Sequence, residues 1–361
     1  MRPSRRRAGA ALLAVAGLSV LVGCGSSSSK AGSSSSPSSS SGGKSIAFST
    51  FGGRFDKPVK AWYVDPTEKA TGLKIALDSP TDYSKLKTQV TTGNVQWSVV
   101  MGDPFYAEEQ CGKLLAPIDK VVNRSALDPK FIVSKCSVPG DQFSDVLMYS
   151  KKVYGNNGPK NWADFFNTTK FPGKRGLFGG YVFSGILEAA RLAEGVPVSQ
   201  IYPIDIKKTL AKVKTIRSSS DFFETLAAGQ QLMESGEVSM IIMPQENGMY
   251  ANENGADFAP VWNQQITSWN DYFVPKGANV ADATKLLDTI ASETAQNGIA
   301  SVEPVGVSLL HPKAATNQPK TVQEWSPLVE NRASSQVVVN QTWWAEHLEE
   351  AQAAWTAYVS G

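Results

Sequence analysis

Histidine is almost missing from this 361-residue chain, which has only His311 and His347, and cysteine is nearly as scarce at three. Neither histidine stands in ligand-type spacing with another His or a Cys, so no metal set of the usual kind is present. Neither pairs recognisably with a Ser or Cys nucleophile either. The G-x-x-x-x-G-K-[ST] phosphate loop, the G-x-S-x-G elbow and H-E-x-x-H are also lacking. Pro172-Gly173-Lys174-Arg175-Gly176 looks loop-like but has neither the Ser/Thr nor the glycine spacing, and it reads as a surface turn. No catalytic residue, metal site or cofactor is expected. An excess of one charge is lacking too, since 35 Lys and Arg against 33 Asp and Glu leave +2 at pH 7. Basic runs are confined to the start of the chain, so nucleic acid is not an expected partner.

The start itself is informative. Arg2, Arg5, Arg6 and Arg7 precede an apolar run over residues 8–23 that is too short to cross a bilayer comfortably, which reads as a secretory leader over 1–23. The run closes on Leu21-Val22-Gly23-Cys24, which looks like the lipobox of bacterial lipoproteins. That resemblance implies a diacylglyceryl group on Cys24, and hence attachment to the cell membrane on its extracellular or periplasmic side. Residues 25–43 are nearly all Ser and Gly, a composition that buries too little apolar surface to order itself and reads as a flexible tether. With Cys24 lipidated, Cys111 and Cys136 are an even pair in an exported chain, so a disulfide is expected, two free buried thiols being the other reading.

Roughly 318 residues remain for the body, enough for two domains of about 150 each. Residues 45–50 read as a strand that ends in the turn Phe51-Gly52-Gly53. Phe55, Val59, Trp62 and Tyr63 then recur at helical spacing up to Thr71-Gly72, ahead of a second strand over 73–77. Asp82 is placed to cap a helix with Tyr83, Leu86 and Val90 on one face, and 97–101 is a third strand. This alternation predicts a parallel α/β sheet. Ligands bind such sheets beyond the carboxyl ends of the strands, which points to the turns at 50–53 and Gly102-Asp103. Near the C-terminus Trp344, Leu348, Ala351 and Trp355 form the apolar face of a packing helix.

Aromatic residues beside a carboxylate are what an ammonium group needs, and Trp269-Asn270-Asp271-Tyr272 is the clearest instance. An aromatic face attracts a cation by about 0.5 to 2 kcal/mol, and a carboxylate adds a charge-assisted hydrogen bond. On the bare pattern, Trp269 and Phe273 can equally be core residues of a strand with Asp271 capping a turn.

Several motifs together carry a resemblance. They are Tyr83-Ser84-Lys85-Leu86-Lys87 with Gly93-Asn94-Val95-Gln96-Trp97, Pro159-Lys160-Asn161-Trp162-Ala163-Asp164 running into Lys170-Phe171-Pro172-Gly173-Lys174-Arg175, Ser235-Gly236-Glu237-Val238-Ser239-Met240, and Trp269-Asn270-Asp271. Over about residues 45–320 the chain resembles the spermidine/putrescine-binding proteins of bacterial ABC importers. The resemblance implies a two-lobed α/β periplasmic-binding-protein fold with a ligand cleft between hinged lobes. One lobe is expected over 45–145 plus about 261–310, the other over 146–260 plus about 311–361. It implies a monomer that is no enzyme, that captures spermidine or putrescine, and that delivers it to an ABC permease. Carried over by motif, Trp269 and Asp271 would hold the amine and Phe51 and Gly52 would form the turn beneath it, with Glu246 and Asn247 as further candidates. The sequence departs from the pattern at 244–248 and at 216–222, where expected tryptophans are missing. Arg217 in the second stretch could instead receive a ligand carboxylate. That favours an alternative cargo, an amino-acid-like or opine-like zwitterion such as 4-aminobutyrate. A non-transport lipoprotein or an enzyme on the same fold is a third reading.

Overall fold

A computed structural model describes residues 44–304, 318–327, 329 and 332–361, all within one compact unit. The leader, Cys24, the tether and His311 lie outside the described residues.

The opening segment folds as its periodicity dictates. β1 (Ser45–Ser49) buries Ile46 and Phe48. It leads through α1 (Asp56–Val59), a π-helical turn (Lys60–Val64) and α2 (Asp65–Thr71) to Gly72, whose left-handed backbone stops the helix. β2 (Lys74–Asp78) lies parallel to β1. Asp82 caps α3 (Tyr83–Thr92) by accepting hydrogen bonds from the amides of Ser84 and Lys85. β3 (Val99–Gly102), also parallel to β1, runs into α4 (Pro104–Gln110). The expected disulfide joins Cys111 to Cys136, with Cα atoms 5.4 Å apart.

The long strand β4 (Ser137–Ser150) then carries the chain into a second α/β half. This half contains α5 (Lys151–Tyr154), α6 (Trp162–Phe166), β5 (Arg175–Phe178), α7 (Ile186–Ala193) and α8 (Ile206–Lys214). β6 (Ser220–Phe223), α9 (Leu226–Ser235), β7 (Met240–Pro244) and α10 (Glu246–Glu253) complete it. β8 (Phe258–Phe273) returns to the first half. There α11 (Val280–Ile290) and α12 (Glu293–Val302) pack on the faces of Phe48, Tyr63 and Met101. α13 (Lys320–Gln323), β9 (Val337–Val338) and α14 (Gln341–Ser360) follow.

The strands form one sheet in the order β2-β1-β3-β8-β4-β7-β5-β6, with β9 beside β8. Its two parallel flanks are joined by the antiparallel pair β4 and β8, each long enough to serve both. Residues 137–139 of β4 pair with 271–273 of β8 beside β3, whereas 147–150 pair with 258–261 next to the second flank. Between these stretches the register shifts twice, at Pro139/Gln142 and Asp145/Leu147. Such irregularities bend strands locally, so they are where the two halves can change their mutual twist.

α14 packs against both α4 and α8, with Trp344, Ala351 and Trp355 buried as its apolar face requires. Arg175 corrects the reading of residues 172–176 as a surface turn. It is fully buried, and its guanidinium donates to the carbonyls of Phe165 at 3.0 Å and Phe171 at 2.6 Å. A planar fork of donors suits those carbonyls, at and just beyond the end of α6.

Candidate functional site

The carboxyl ends of β1 and β3 on one half meet those of β5 and β7 on the other. Asp103, directly after β3, sits where the halves touch. Its Oδ2 accepts a hydrogen bond from the Tyr83 hydroxyl at 2.6 Å and from the Tyr181 hydroxyl, which comes from the other half, at 3.2 Å. Burial pushes its carboxyl up to about 6, although both hydroxyls pull the other way. The close approach needs Gly102, where a Cβ would lie 2.6 Å from the Phe273 ring and 2.9 Å from the Tyr83 hydroxyl. Tyr83 in turn stacks on Tyr106 at 3.9 Å.

Asp145 occupies the second register shift of β4, opposite Pro244 at the end of β7. Among the described residues nothing donates a hydrogen bond to its carboxylate. Burial, then the charges of Glu246, Glu188 and Asp103, hold its carboxyl well above the ordinary range. Gly185, with φ +71, starts α7 against it, and a Cβ there would fall 3.0 Å from Asp145 Cβ.

Glu246 is the first residue of α10. Its Oε2 is buried without a hydrogen-bond partner. Burial, with the charges of Glu303 and Asp141 adding to it, pushes the carboxyl up to about 8. The preceding residue fixes this placement: Gln245 accepts from the Ser144 amide at 2.6 Å and donates to the Pro304 carbonyl at 2.9 Å. Asn247 is buried and directs its amide to the Pro244 carbonyl. Among the described residues, no Lys or Arg pairs with Asp103, Asp145 or Glu246, and no group of His, Cys, Asp and Glu could hold a metal ion. Buried carboxylates without a cation favour a ligand that brings one.

The other residues named from sequence are distributed unevenly. Phe51 lies 39% exposed in the turn after β1, and Gly52 beside it has φ +84, with a Cβ position 3.0 Å from Ser79 Cβ. Trp269 and Asp271 are brought together within the first half. Asp271 is fully buried near the end of β8 rather than capping a turn, and its two oxygens accept from the Ser137 hydroxyl at 2.5 Å and the Trp269 indole at 3.1 Å. The Trp269 ring meets Phe131 edge-on at 5.1 Å. Arg217 stands beside β6 at the far edge of the sheet. It donates to the Val359 carbonyl at 2.8 Å, with its guanidinium over Phe222 and Tyr358, so the structure does not bring it to Asp103, Asp145 and Glu246. Asp145, Tyr83 and Tyr181 were not singled out from sequence as site residues. The one signal for Asp145 was a carboxylate directly before the apolar run Val146-Leu147-Met148 of β4.

Two α/β halves, joined by long crossing strands and closing on a cleft, define the periplasmic-binding-protein class. The chain belongs to the family of bacterial extracellular solute-binding proteins, whose profile matches residues 62–326. It is 27% identical over 334 residues, 88% of this chain and 91% of the relative, to a gamma-aminobutyric acid-binding protein of Pseudomonas aeruginosa. Among solved structures it is similar to the Atu4243 GABA receptor, at 31% identity and TM-score 0.78, covering 88% of this chain and 98% of that one. It is also similar to the binding protein MotA of A. tumefaciens B6 in complex with glucopine, at 25% identity and TM-score 0.79, covering 87% and 99%. The chain is thus a solute-binding component of an ABC importer and not an enzyme. No helix among the described residues is long and apolar enough to cross a membrane.

Proposed function

We propose that the protein captures a small amino-acid-like or opine-like compound, of the 4-aminobutyrate kind, between its halves and hands it to the permease. The observation that carries this reading is the pair of buried Asp145 and half-buried Glu246, whose Oε2 is buried without a partner, both unmatched by any described cation, which suits an ammonium group. Relatives that bind gamma-aminobutyric acid and glucopine favour this cargo over spermidine and putrescine. Asp103 and Tyr181 border the same space, with Phe51 and Gly52 at its mouth and Asn247 behind Glu246. Asp271 and Trp269 support the floor of the first half. Lipid on Cys24 and the Ser/Gly tether hold this body at the membrane.

Isothermal calorimetry of the purified protein against 4-aminobutyrate, putrescine and spermidine tests the reading. Micromolar or tighter binding of 4-aminobutyrate that Glu246→Gln weakens roughly 10- to 100-fold is the expected result. Binding of the polyamines alone would move the cargo to that class, where three carboxylates without a described cation would match a polycation.

A further inference from the structure

We propose that Arg54, Tyr250, Glu253 and Glu303 form a closure latch between the two halves, which raises ligand affinity without touching the ligand. Arg54 sits in the turn between β1 and α1, in the first half. Its guanidinium lies over the Tyr250 ring, 4.1 Å from the centroid, and its Nη1 donates to Glu253 at 2.5 Å. Tyr250 and Glu253 belong to α10 in the second half. The Tyr250 hydroxyl donates at 2.5 Å to Glu303, which follows α12 in the first half. The Tyr250 ring is therefore held by the first half on its face and at its hydroxyl, and it is almost fully buried there.

Glu246, Tyr250 and Glu253 stand at i, i+4 and i+7 of α10, so one face of that helix carries both the candidate ligand carboxylate and the latch. Opening the hinge must break every latch contact at once. The Arg54–Glu253 pair, about half exposed, contributes little by itself. The buried hydroxyl-to-carboxylate bond and the stacked guanidinium contribute more. Because apparent affinity scales with the fraction of protein able to close, weakening the latch lowers affinity at an unchanged binding surface.

The inference rests on the solute-binding class and not on the identity of the cargo. The test uses spin labels at the exposed positions Thr91 and Lys207, whose distance distribution reports closure with and without 4-aminobutyrate, alongside titration with the same compound. Arg54→Ala and Tyr250→Phe should each shift the distribution toward longer distances and weaken binding roughly fivefold. Glu253→Ala should change binding by less than about twofold, because its pair with Arg54 is half exposed. Distributions for Arg54→Ala and Tyr250→Phe identical to the parent's overturn the latch. So does a binding loss confined to Arg54→Ala with Tyr250→Phe unaffected, which would make Arg54 a ligand contact. A parent that ignores 4-aminobutyrate would sink the cargo reading, while the distance distributions would still decide the latch.

Discussion

One oxygen of Asp103 is shared by hydroxyls from the two halves, with Tyr83 at 2.6 Å and Tyr181 at 3.2 Å. Tyr181 crosses the cleft to make this bond, from a loop that α14 fixes. Gln352 accepts from the Val182 amide at 3.0 Å, and the Trp355 indole donates to the Phe178 and Gly179 carbonyls. Tyr181→Phe should therefore weaken closure by about 1 kcal/mol, a loss of roughly fivefold in affinity, with little change in melting temperature. A parental affinity would show that the bond does not contribute to binding.

Glu246→Gln should separate binding from stability. Removing a charge-assisted partner of an ammonium group costs about 1.5 to 3 kcal/mol, or roughly 10- to 100-fold in affinity. The same change relieves a carboxylate that burial disfavours, so thermal unfolding should move upward. Calorimetry and a melting scan of the same preparation read both, and a fall in melting temperature would contradict the argument.

Ligand affinity should rise as pH climbs toward about 8. Burial pushes the Glu246 carboxyl up to about 8, so it carries a proton near neutrality until an ammonium group arrives, and Asp145 is held above its ordinary range in the same direction. Binding then releases protons, which calorimetry in buffers of different ionisation enthalpy counts directly. The groups around them are the carboxylates of Asp103, Glu188, Asp141 and Glu303, so proton release is not offset by a described neighbouring cation.

For stability the sign is the reverse. Glu246 is raised above its unfolded value of about 4.3. Its contribution therefore favours the fold fully below about 4.3 and is lost as pH rises through about 8. Glu246→Gln should flatten the corresponding fall in unfolding free energy, and an unchanged pH slope would assign that fall to other groups.

Loss of the disulfide should cost on the order of 3 kcal/mol, from the 25-residue separation of Cys111 and Cys136. Cys111 ends α4, whose other end follows Asp103, so the double Ala variant should bind more weakly as well as unfold at lower urea. An unfolding free energy within about 1 kcal/mol of the parent would show that packing alone holds this loop.

The sequence by itself determined what depends on neighbours along the chain. Short apolar runs placed β1, β2 and β3, Asp82 capped α3 because a carboxylate satisfies free amides, and the face of Trp344, Ala351 and Trp355 was legible at helical spacing. The family was legible in the same way, through motifs each a few residues long. The tertiary structure alone decided which carboxylates face the cleft. Asp271, with its aromatic neighbours, looks from sequence like the ammonium partner, yet Ser137, 134 positions earlier, takes one of its oxygens. Glu246 was a candidate from the family motif, whereas Asp145 looks ordinary in sequence and joins it only because β4 crosses between the halves beside β7. A carboxylate's protonation and partners depend on what covers it, and that covering comes from segments tens to more than a hundred residues away.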